Sequence, residues 1–128
     1  MATTLTGDGL LRFARHDEFR KTLDRLVPEG SLGLAVSGGP DSLALLLLCA
    51  AARPGEVRAA TVDHGLRPES PGEAAHVAAC CDQLGVPHEL LTVSVDRGAS
   101  LQAQARQARY VALAGWAERN SLAAVATG

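Results

Sequence analysis

Short apolar runs and longer amphipathic segments alternate along the chain. The apolar runs predict four buried strands, over residues 32–36, 57–62, 89–95 and 122–126. Apolar residues three or four positions apart predict helices over residues 10–26 and 70–84. A longer run of leucine and alanine predicts a buried helix over residues 42–52, and a last helix is predicted over residues 100–119. Residues 1–9 are rich in threonine and glycine, and we expect them to be loose.

Capping residues mark several of these boundaries. Ser70, Pro71 and Glu73 form the serine–proline–glutamate pattern of a capped helix start. Gly85 follows the same helix, where a left-handed residue commonly ends a helix. Ser100 is predicted to cap the last helix. Ser70 and Ser100 therefore mark the starts of the last two predicted helices, and Gly85 marks the end of the helix over residues 70–84.

Strands that alternate with helices at this spacing predict a parallel sheet built from right-handed crossovers. The fold class is therefore α/β, a Rossmann-like parallel sheet with helices on both faces. In such a sheet the ligand crevice lies beyond the carboxyl ends of the strands. Residues 37–42, 63–67 and 127–128 each follow a predicted strand, so we expect the chemistry there. The fourth strand is expected to be an exposed edge of the sheet.

A glycine turn of sequence SGGPDS, residues 37–42, joins the first strand to its helix. Such a turn points backbone N–H groups and the positive end of a helix dipole at one spot, which favours a phosphate. The turn does not match the nucleotide-binding motif G-x-x-x-x-G-K-[ST], because no lysine precedes Ser42. It does not match the motif G-x-G-x-x-G either, because it has no third glycine. The alternative is a plain strand–helix turn in which Asp41 or Ser42 only caps the helix.

Two further polar segments fall near the predicted crevice. Residues 63–67, DHGLR, form a tight turn after the second strand, and His64 there is placed to contact a base or a phosphate. In the last helix Gln102, Arg106 and Arg109 share one face, and two guanidinium groups on one face can clamp a polyphosphate or an RNA backbone. The alternatives are a histidine satisfied by the backbone and a solvated helix face. The remaining histidines show no metal-ligand spacing and are interpreted as incidental: His16, His76 and His88.

Composition limits the class of protein. The chain has 128 residues, 47% of them hydrophobic, and is one domain or a piece of a larger one. Its 12 basic and 14 acidic residues give a net charge of −2, whereas a domain that binds nucleic acid by itself usually has an excess of basic residues.

The cysteines and the lack of export signals indicate a compartment. Cys49, Cys80 and Cys81 fall in apolar helical segments, which favours buried thiols in a reducing compartment. Without a secretory signal pattern or an apolar run long enough to span a bilayer, we expect a cytoplasmic protein with no membrane partner.

Three of these segments resemble one family. SGGPDS resembles the SGGxDS loop of the PP-loop ATP pyrophosphatases, which bind ATP and split it between the α- and β-phosphates. DHGLR is similar to the HHGLR-type segment of the tRNA(Ile)-lysidine synthases within that group, with Asp63 where a histidine is common. Residues 104–110, QARQARY, resemble their A-R-x-x-R-Y segment. The resemblance covers residues 32–128 and implies an adenine nucleotide alpha hydrolase-like fold, with residues 1–31 as an N-terminal helix and lead-in.

The resemblance implies an ATP-dependent carbon–nitrogen ligase. The enzyme would adenylate the wobble cytidine of tRNA(Ile), release pyrophosphate, and join L-lysine to the base to form lysidine. The residues that would bind ATP are Ser37, Gly38, Gly39, Pro40, Asp41, Ser42 and His64. Asp41 would also hold Mg²⁺ and act in catalysis, while Arg106 or Arg109 would offset charge that develops on the phosphates. The implied cofactors are ATP and Mg²⁺, and the implied partners are tRNA(Ile) and L-lysine.

The resemblance ends with the chain. The next family motif, a histidine followed by paired aspartates and a glutamate, would come after Gly128. The chain is therefore interpreted as the N-terminal part of the catalytic domain, truncated after the fourth strand. Three alternatives stay open: a tRNA thiolase of the same superfamily, a non-catalytic ATP-binding module, and a gene remnant that does not fold. It is also open whether the chain binds ATP alone, or forms a homodimer that covers its edge strand.

Overall fold

The computed structural model of the protein describes residues 3–6, 16–64, 70–94 and 100–127. Strands and helices alternate in these residues: β1 (Thr3–Thr6), α1 (His16–Leu26), β2 (Ser31–Ala35), α2 (Pro40–Ala52), β3 (Val57–Asp63), α3 (Ser70–Leu84), β4 (His88–Thr92), α4 (Leu101–Arg119) and β5 (Leu122–Thr127). The four predicted strands and the helices between them are confirmed, with small shifts at their ends. The helix predicted over residues 10–26 is confirmed from His16 onward, and its first residues lie outside the described ranges.

All the described strands form one parallel sheet in the order β1–β5–β2–β3–β4. The chain moves outward from β2 through β3 to β4, and then crosses back to place β5 on the other side of β2. Most residues of β2, β3 and β5 are buried, as strands covered on both faces should be. The predicted α/β fold, a Rossmann-like parallel sheet with helices on both faces, is confirmed.

The sequence analysis did not predict β1. Thr3–Thr6 pairs in parallel with β5, with Thr3 opposite Ala124 and Thr6 opposite Thr127. β5, the fourth predicted strand, therefore lies between β1 and β2, and the expectation that it is an exposed edge is wrong. The expectation that residues 1–9 are loose is also wrong for Thr3–Thr6, because four residues give too short a pattern to show a strand period. The division of the chain into residues 1–31 and 32–128 stays a prediction.

Two apolar clusters cover the two faces of the sheet. On one face α1, α2 and α3 pack against β2, β3 and β5, and the largest fully buried side chains are Leu23, Leu32, Leu34, Leu45, Leu46, Cys49, Val77 and Cys81. On the other face α4 packs Leu113 and Trp116 against the sheet. Trp116 lies close to the strands because Gly33 has no side chain: a Cβ there would be 2.9 Å from Cζ3 of the indole.

Arg53 is a buried charged residue that the sequence analysis missed. Its guanidinium donates hydrogen bonds to the carbonyls of Val27 and Gly30, which connect α1 to β2. Asp24 and Glu56 offset its charge, with nitrogen–oxygen distances of 3.4 and 3.7 Å. A buried guanidinium is tolerated only when it is paired and hydrogen-bonded. Arg53 therefore ties the end of α2 to the end of α1.

The ends of α3 and α4 test the capping predictions. α3 begins at Ser70 as predicted. Gly85 has a φ of +70°, which confirms the left-handed residue predicted after this helix. Ser100 is the N-cap residue of α4, as predicted, but its φ is positive, +67°, and within the described residues its side chain makes no capping hydrogen bond. Its backbone carbonyl instead accepts a hydrogen bond from the N–H of Gln104.

Two of the three cysteines are buried free thiols, as predicted. Cys49 and Cys81 are buried free thiols in the core of the sheet's three-helix face, and Cys80 is a half-buried free thiol. Burial raises the pKa of Cys49 to about 12 and that of Cys81 to about 11.

Among the described residues, no helix is both long enough and apolar enough to cross a membrane.

Candidate functional site

A cavity of about 300 Å³ opens at the carboxyl ends of β2 and β3. Its lining residues are Ala35, Val36, Ser37, Gly38, Thr61, Val62, Asp63, His64, Glu73 and Arg109. Glu73 comes from α3 and Arg109 from α4, and these helices cover opposite faces of the sheet. The cavity is therefore a crevice across the end of the sheet, at the position predicted for a ligand.

The loop of residues 37–42 is braced by its two serines. The N–H of Ser37 donates to Oγ of Ser42 over 3.2 Å, and the N–H of Gly39 donates to Oγ of Ser37 over 3.3 Å. Ser37 is exposed and lines the cavity, whereas Ser42 is only 5% exposed. The first serine is thus available to a ligand, while the second is built into the loop.

α2 begins directly at this loop. Gly39 is the N-cap residue, and Pro40 is the first residue of the helix. The alternative in which Asp41 or Ser42 caps the helix is therefore wrong. Glycine has no side chain that could accept a hydrogen bond from the first turn, so the positive end of α2 is open to an anion.

Gly38 is where the loop packs against α3. A Cβ at this position would lie 3.2 Å from Cβ and 3.3 Å from Cγ of Glu73. A Cβ on Gly39 would lie 3.5 Å from Oγ of Ser37, which is an ordinary contact. A Cβ at the first glycine would therefore crowd the side chain of Glu73, which also lines the cavity.

His64 follows β3 and lines the cavity. Its Nδ1 is buried and has no hydrogen-bond partner within the described part of the chain. Leaving a buried polar atom unpaired costs free energy, so a ligand that hydrogen-bonds this nitrogen would be favoured. Within the described residues the backbone supplies Nδ1 with no partner, contrary to the alternative of a histidine satisfied by the backbone.

Only one of the two predicted arginines lines the cavity. Arg109 is half-buried there, and burial lowers the pKa of its guanidinium, which stays charged. Arg106 lies one turn earlier on α4, is exposed, and does not line the cavity. α4 therefore contributes one guanidinium to the cavity lining, which also includes Asp63 and Glu73. That Arg106 and Arg109 together clamp a polyphosphate or an RNA backbone stays a prediction.

Asp41, the predicted metal ligand, is exposed in the first turn of α2 and lies outside the cavity lining. The described ranges contain no group of three or more side chains suited to hold a metal ion. A single exposed carboxylate such as that of Asp41 can hold Mg²⁺ when a bound phosphate group supplies further oxygen ligands, which is a common arrangement for this ion.

The structure thus divides the predicted site residues into three groups. Four of them line one cavity: Ser37, Gly38, His64 and Arg109. Four stay on the loop outside the lining: Gly39, Pro40, Asp41 and Ser42. Arg106 lies on the exposed surface of α4.

Three polar residues of the cavity were not predicted as site residues: Thr61, Asp63 and Glu73. Asp63 was visible in the sequence as the first residue of the DHGLR turn. Glu73 was explained by helix capping alone. The signal for Thr61 was weaker, since it is one polar residue near the end of a largely apolar strand.

Curated relatives similar to the chain bear the name tRNA(Ile)-lysidine synthase. The protein from Novosphingobium aromaticivorans is 50% identical over 109 residues, which cover 85% of this chain and 33% of the relative. The protein from Zymomonas mobilis is 52% identical over 99 residues, which cover 77% of this chain and 30% of the relative. The chain spans about a third of the length of these two relatives. The predicted resemblance to lysidine synthases is confirmed.

Solved structures of two distant proteins have the same fold. The U34-tRNA thiolase NcsA from Methanococcus maripaludis matches 94% of this chain and 46% of its own, with a TM-score of 0.75 and 17% identity. The NH3-dependent NAD synthetase from Campylobacter jejuni matches 95% of this chain and 56% of its own, with a TM-score of 0.68 and 16% identity. At such low identity these likenesses show the fold alone.

The match to a family profile covers nearly the whole chain. The profile of the PP-loop domain matches residues 13–128, which include β2 to β5, the loop of residues 37–42 and every residue that lines the cavity. The chain therefore belongs to the PP-loop domain family.

Proposed function

We propose that this chain is the ATP-binding part of a tRNA(Ile)-lysidine synthase. Membership of the PP-loop family implies use of ATP. The names of relatives that are about half identical over most of the chain support tRNA modification by an ATP-using ligase. The observation that carries the proposal is the loop of residues 37–42, which lies between β2 and the uncapped start of α2, beside the cavity.

In the proposed complex the pyrophosphate part of ATP lies against this loop. The open end of α2 and the hydroxyl of Ser37 favour negative charge there. The nucleoside part occupies the cavity, whose volume of about 300 Å³ suits a small ligand. A polar group on the nucleoside would give Nδ1 of His64 the partner that it lacks within the described residues.

Arg109 and Asp41 would both act on the negative charge of the phosphates, Arg109 directly and Asp41 through Mg²⁺. Arg109 is the guanidinium in the cavity and would offset negative charge that develops on the phosphates. Asp41 would hold Mg²⁺ together with the phosphates, and that ion would neutralise part of their charge. Arg106 is exposed, so we assign it no contact with ATP. Its guanidinium would instead contact phosphates of the RNA backbone.

The proposed reaction has two steps. First, the carbonyl oxygen of the wobble cytidine attacks the α-phosphorus of ATP, the bond to the bridging oxygen breaks, and pyrophosphate leaves. Second, the amine of L-lysine attacks the activated carbon of the base and AMP leaves, while the amine loses a proton. The loop of residues 37–42 would stabilise the charge on the leaving pyrophosphate in the first step.

The thiolase alternative draws no support from the cavity. No cysteine is among the described residues that line it. Cys49 and Cys81 are buried in the core, and Cys80 lies with Cys81 on α3. Burial raises the pKa of both core thiols, so neither is a ready thiolate nucleophile.

The test uses the complete gene product with a tRNA(Ile) transcript that carries cytidine at the wobble position. Pyrophosphate release and incorporation of labelled lysine are measured for the wild type, for Asp41→Asn and for Asp82→Asn. Asp82 is an exposed aspartate near the C-terminal end of α3. Asp82→Asn therefore removes the same charge at a position away from the loop of residues 37–42. We expect Asp41→Asn to lose pyrophosphate release by about 100-fold or more and Asp82→Asn to match the wild type.

Two results would contradict the proposal. One is pyrophosphate release at the wild-type rate by Asp41→Asn. The other is a wild-type protein that binds ATP but neither releases pyrophosphate nor incorporates lysine with this tRNA, which would identify a non-catalytic nucleotide-binding module.

A further inference from the structure

One peptide plane at the entrance to the loop is held from both sides. The peptide bond between Val36 and Ser37 has its carbonyl bonded by the hydroxyl of Thr61, which donates over 2.9 Å. The N–H of the same peptide, that of Ser37, donates to Oγ of Ser42 over 3.2 Å. A peptide plane that is bonded at both groups resists rotation. The direction in which the chain enters the loop is therefore set by one hydroxyl from β3 and one from α2.

Thr61 acts where two strands separate. Pairing of β2 with β3 ends with Ala35 opposite Ala60, and the N–H of Val36 still donates to the carbonyl of Ala60. β3 continues beyond this point and pairs with β4 as far as Asp63. The β2 chain thus leaves the sheet after Val36 and the cavity opens between the two ends. The hydroxyl of Thr61 holds the carbonyl of Val36, the residue that follows β2, at this opening.

The hydroxyl of Thr61 is itself oriented by His88. Nε2 of His88, in the edge strand β4, lies 2.9 Å from Oγ1 of Thr61. A hydroxyl has one hydrogen, and Thr61 gives it to the carbonyl of Val36, so Thr61 must accept its second bond from His88. The neutral imidazole therefore carries its proton on Nε2. Thr61 is only 8% exposed, which limits competition from water.

We propose that Thr61 is a positioning residue of the phosphate loop and that His88 fixes the direction of its hydroxyl. This inference rests on the proposed function, because it assigns the loop to the phosphates of ATP. His88 holds Thr61, Thr61 holds the carbonyl of Val36, and the held peptide fixes the orientation of Ser37 and Gly39. Thr61 and His88 act through the loop and are not assigned a contact with the phosphates.

A positioning role differs measurably from a role in folding alone. If Thr61 only stabilised the sheet, its loss would lower the free energy of unfolding and leave the affinity of the folded protein for ATP unchanged. If Thr61 positions the loop, its loss frees the peptide between Val36 and Ser37. A loop that must be ordered when the ligand binds gives a weaker affinity.

The experiment compares Thr61→Val, Thr61→Ser and Thr92→Val in titrations of the full chain with Mg·ATP, alongside urea unfolding. Valine keeps the shape of threonine and removes the hydroxyl, whereas serine restores the hydroxyl. Thr92→Val makes the same change at an exposed position of β4 and serves as the control. We expect the Kd of Thr61→Val to rise by about threefold to tenfold, the effect of one lost hydrogen bond. Thr61→Ser and Thr92→Val should stay within about twofold of the wild type.

His88→Phe supplies a second variant, which keeps a ring in place and removes the donor. We expect the Kd of His88→Phe for Mg·ATP to rise, as for Thr61→Val. The inference therefore stays testable if Thr61→Val does not fold. In ¹H–¹⁵N spectra without nucleotide, the amide signals of Ser37 and Gly39 should shift in His88→Phe and in Thr61→Val. The same signals should not shift in Thr92→Val.

The outcomes separate the two proposals. If the wild type binds Mg·ATP and both Thr61→Val and His88→Phe bind it equally well, the inference is wrong and the proposed function stands. If the folded wild-type chain does not bind Mg·ATP at all, the assignment of the loop to ATP fails, and the inference fails with it.

Discussion

The backbone N–H of Ser37 and Oγ of Ser42 are joined by a hydrogen bond of 3.2 Å that closes the loop between β2 and α2. The two serines stand at the ends of the SGGPDS segment but have different environments. Ser37 is exposed at the cavity, and Ser42 is turned into the protein. In this structure the second serine shapes the loop from within.

Ser42→Ala should destabilise the folded protein more than Ser37→Ala. The alanine at position 42 leaves the partly buried N–H of Ser37 without its acceptor, which should cost about 1 kcal/mol. Ser37→Ala removes an acceptor from the N–H of Gly39 in an exposed place, where water can replace it, so the change should stay within about 0.5 kcal/mol. Urea unfolding of both variants measures the difference. Equal losses would show that the bond to Ser42 does not brace the loop.

Much of the fold could be predicted because the signals are local. The apolar runs that form β2 to β5 are bounded by glycine, proline and polar residues, and strands alternating with helices leave few topologies. The SGGPDS loop could be predicted for the same reason, since a glycine turn between a strand and a helix is a local feature. Gly85 likewise shows its role by following the last residue of a helix.

The rest depended on contacts between residues far apart in sequence. Thr61 and His88 meet because β3 pairs with β4, and neither residue shows this in its own segment. Arg53 is buried because α1 ends beside it, and its local sequence resembles an exposed turn. Arg106 and Arg109 look equivalent in a helical pattern, but only the second reaches the cavity. A shared helix face therefore does not decide which side chain meets a ligand.

Gly33→Ala should destabilise the protein although glycine is usually a poor strand residue. A Cβ at this position would lie 2.6 Å from Cδ1 of Leu122 and 2.9 Å from Cζ3 of Trp116, and both side chains are buried. Overpacking of this kind should cost about 1–3 kcal/mol in the free energy of unfolding. Gly72→Ala is the control, because no atom of the described residues lies within 4 Å of the added Cβ. That variant should be neutral or more stable by up to about 1 kcal/mol in urea unfolding.

The stability of the protein should fall in mild acid through His88. Burial disfavours the imidazolium and lowers the pKa of His88 below its ordinary value of 6.5. The unfolded chain therefore binds a proton at this residue more readily than the folded chain. The contribution of His88 to stability should be complete above pH 6.5 and lost as the pH falls below that value and through the folded pKa. Urea unfolding between pH 7.5 and about 5 measures the loss.

The His88→Phe variant isolates this effect from the other titrating groups. Its stability should depend less on pH than that of the wild type over the same range. His76→Gln changes an exposed histidine on α3 and should keep the wild-type dependence. A His88→Phe variant that loses stability in acid as steeply as the wild type would show that other groups cause the fall.

The three cysteines should react with an alkylating reagent in a fixed order. Cys80 is half-buried on α3, with its sulfur 3.9 Å from Nε2 of His76, and should react first in the folded protein. Burial raises the pKa of Cys49 to about 12 and of Cys81 to about 11, so at pH 8 both remain thiols shielded by the core. Peptide mapping after treatment with iodoacetamide should find only Cys80 modified, and all three cysteines modified in urea. Modification of Cys81 as fast as its neighbour Cys80 would mean that α3 is not packed against the sheet as described.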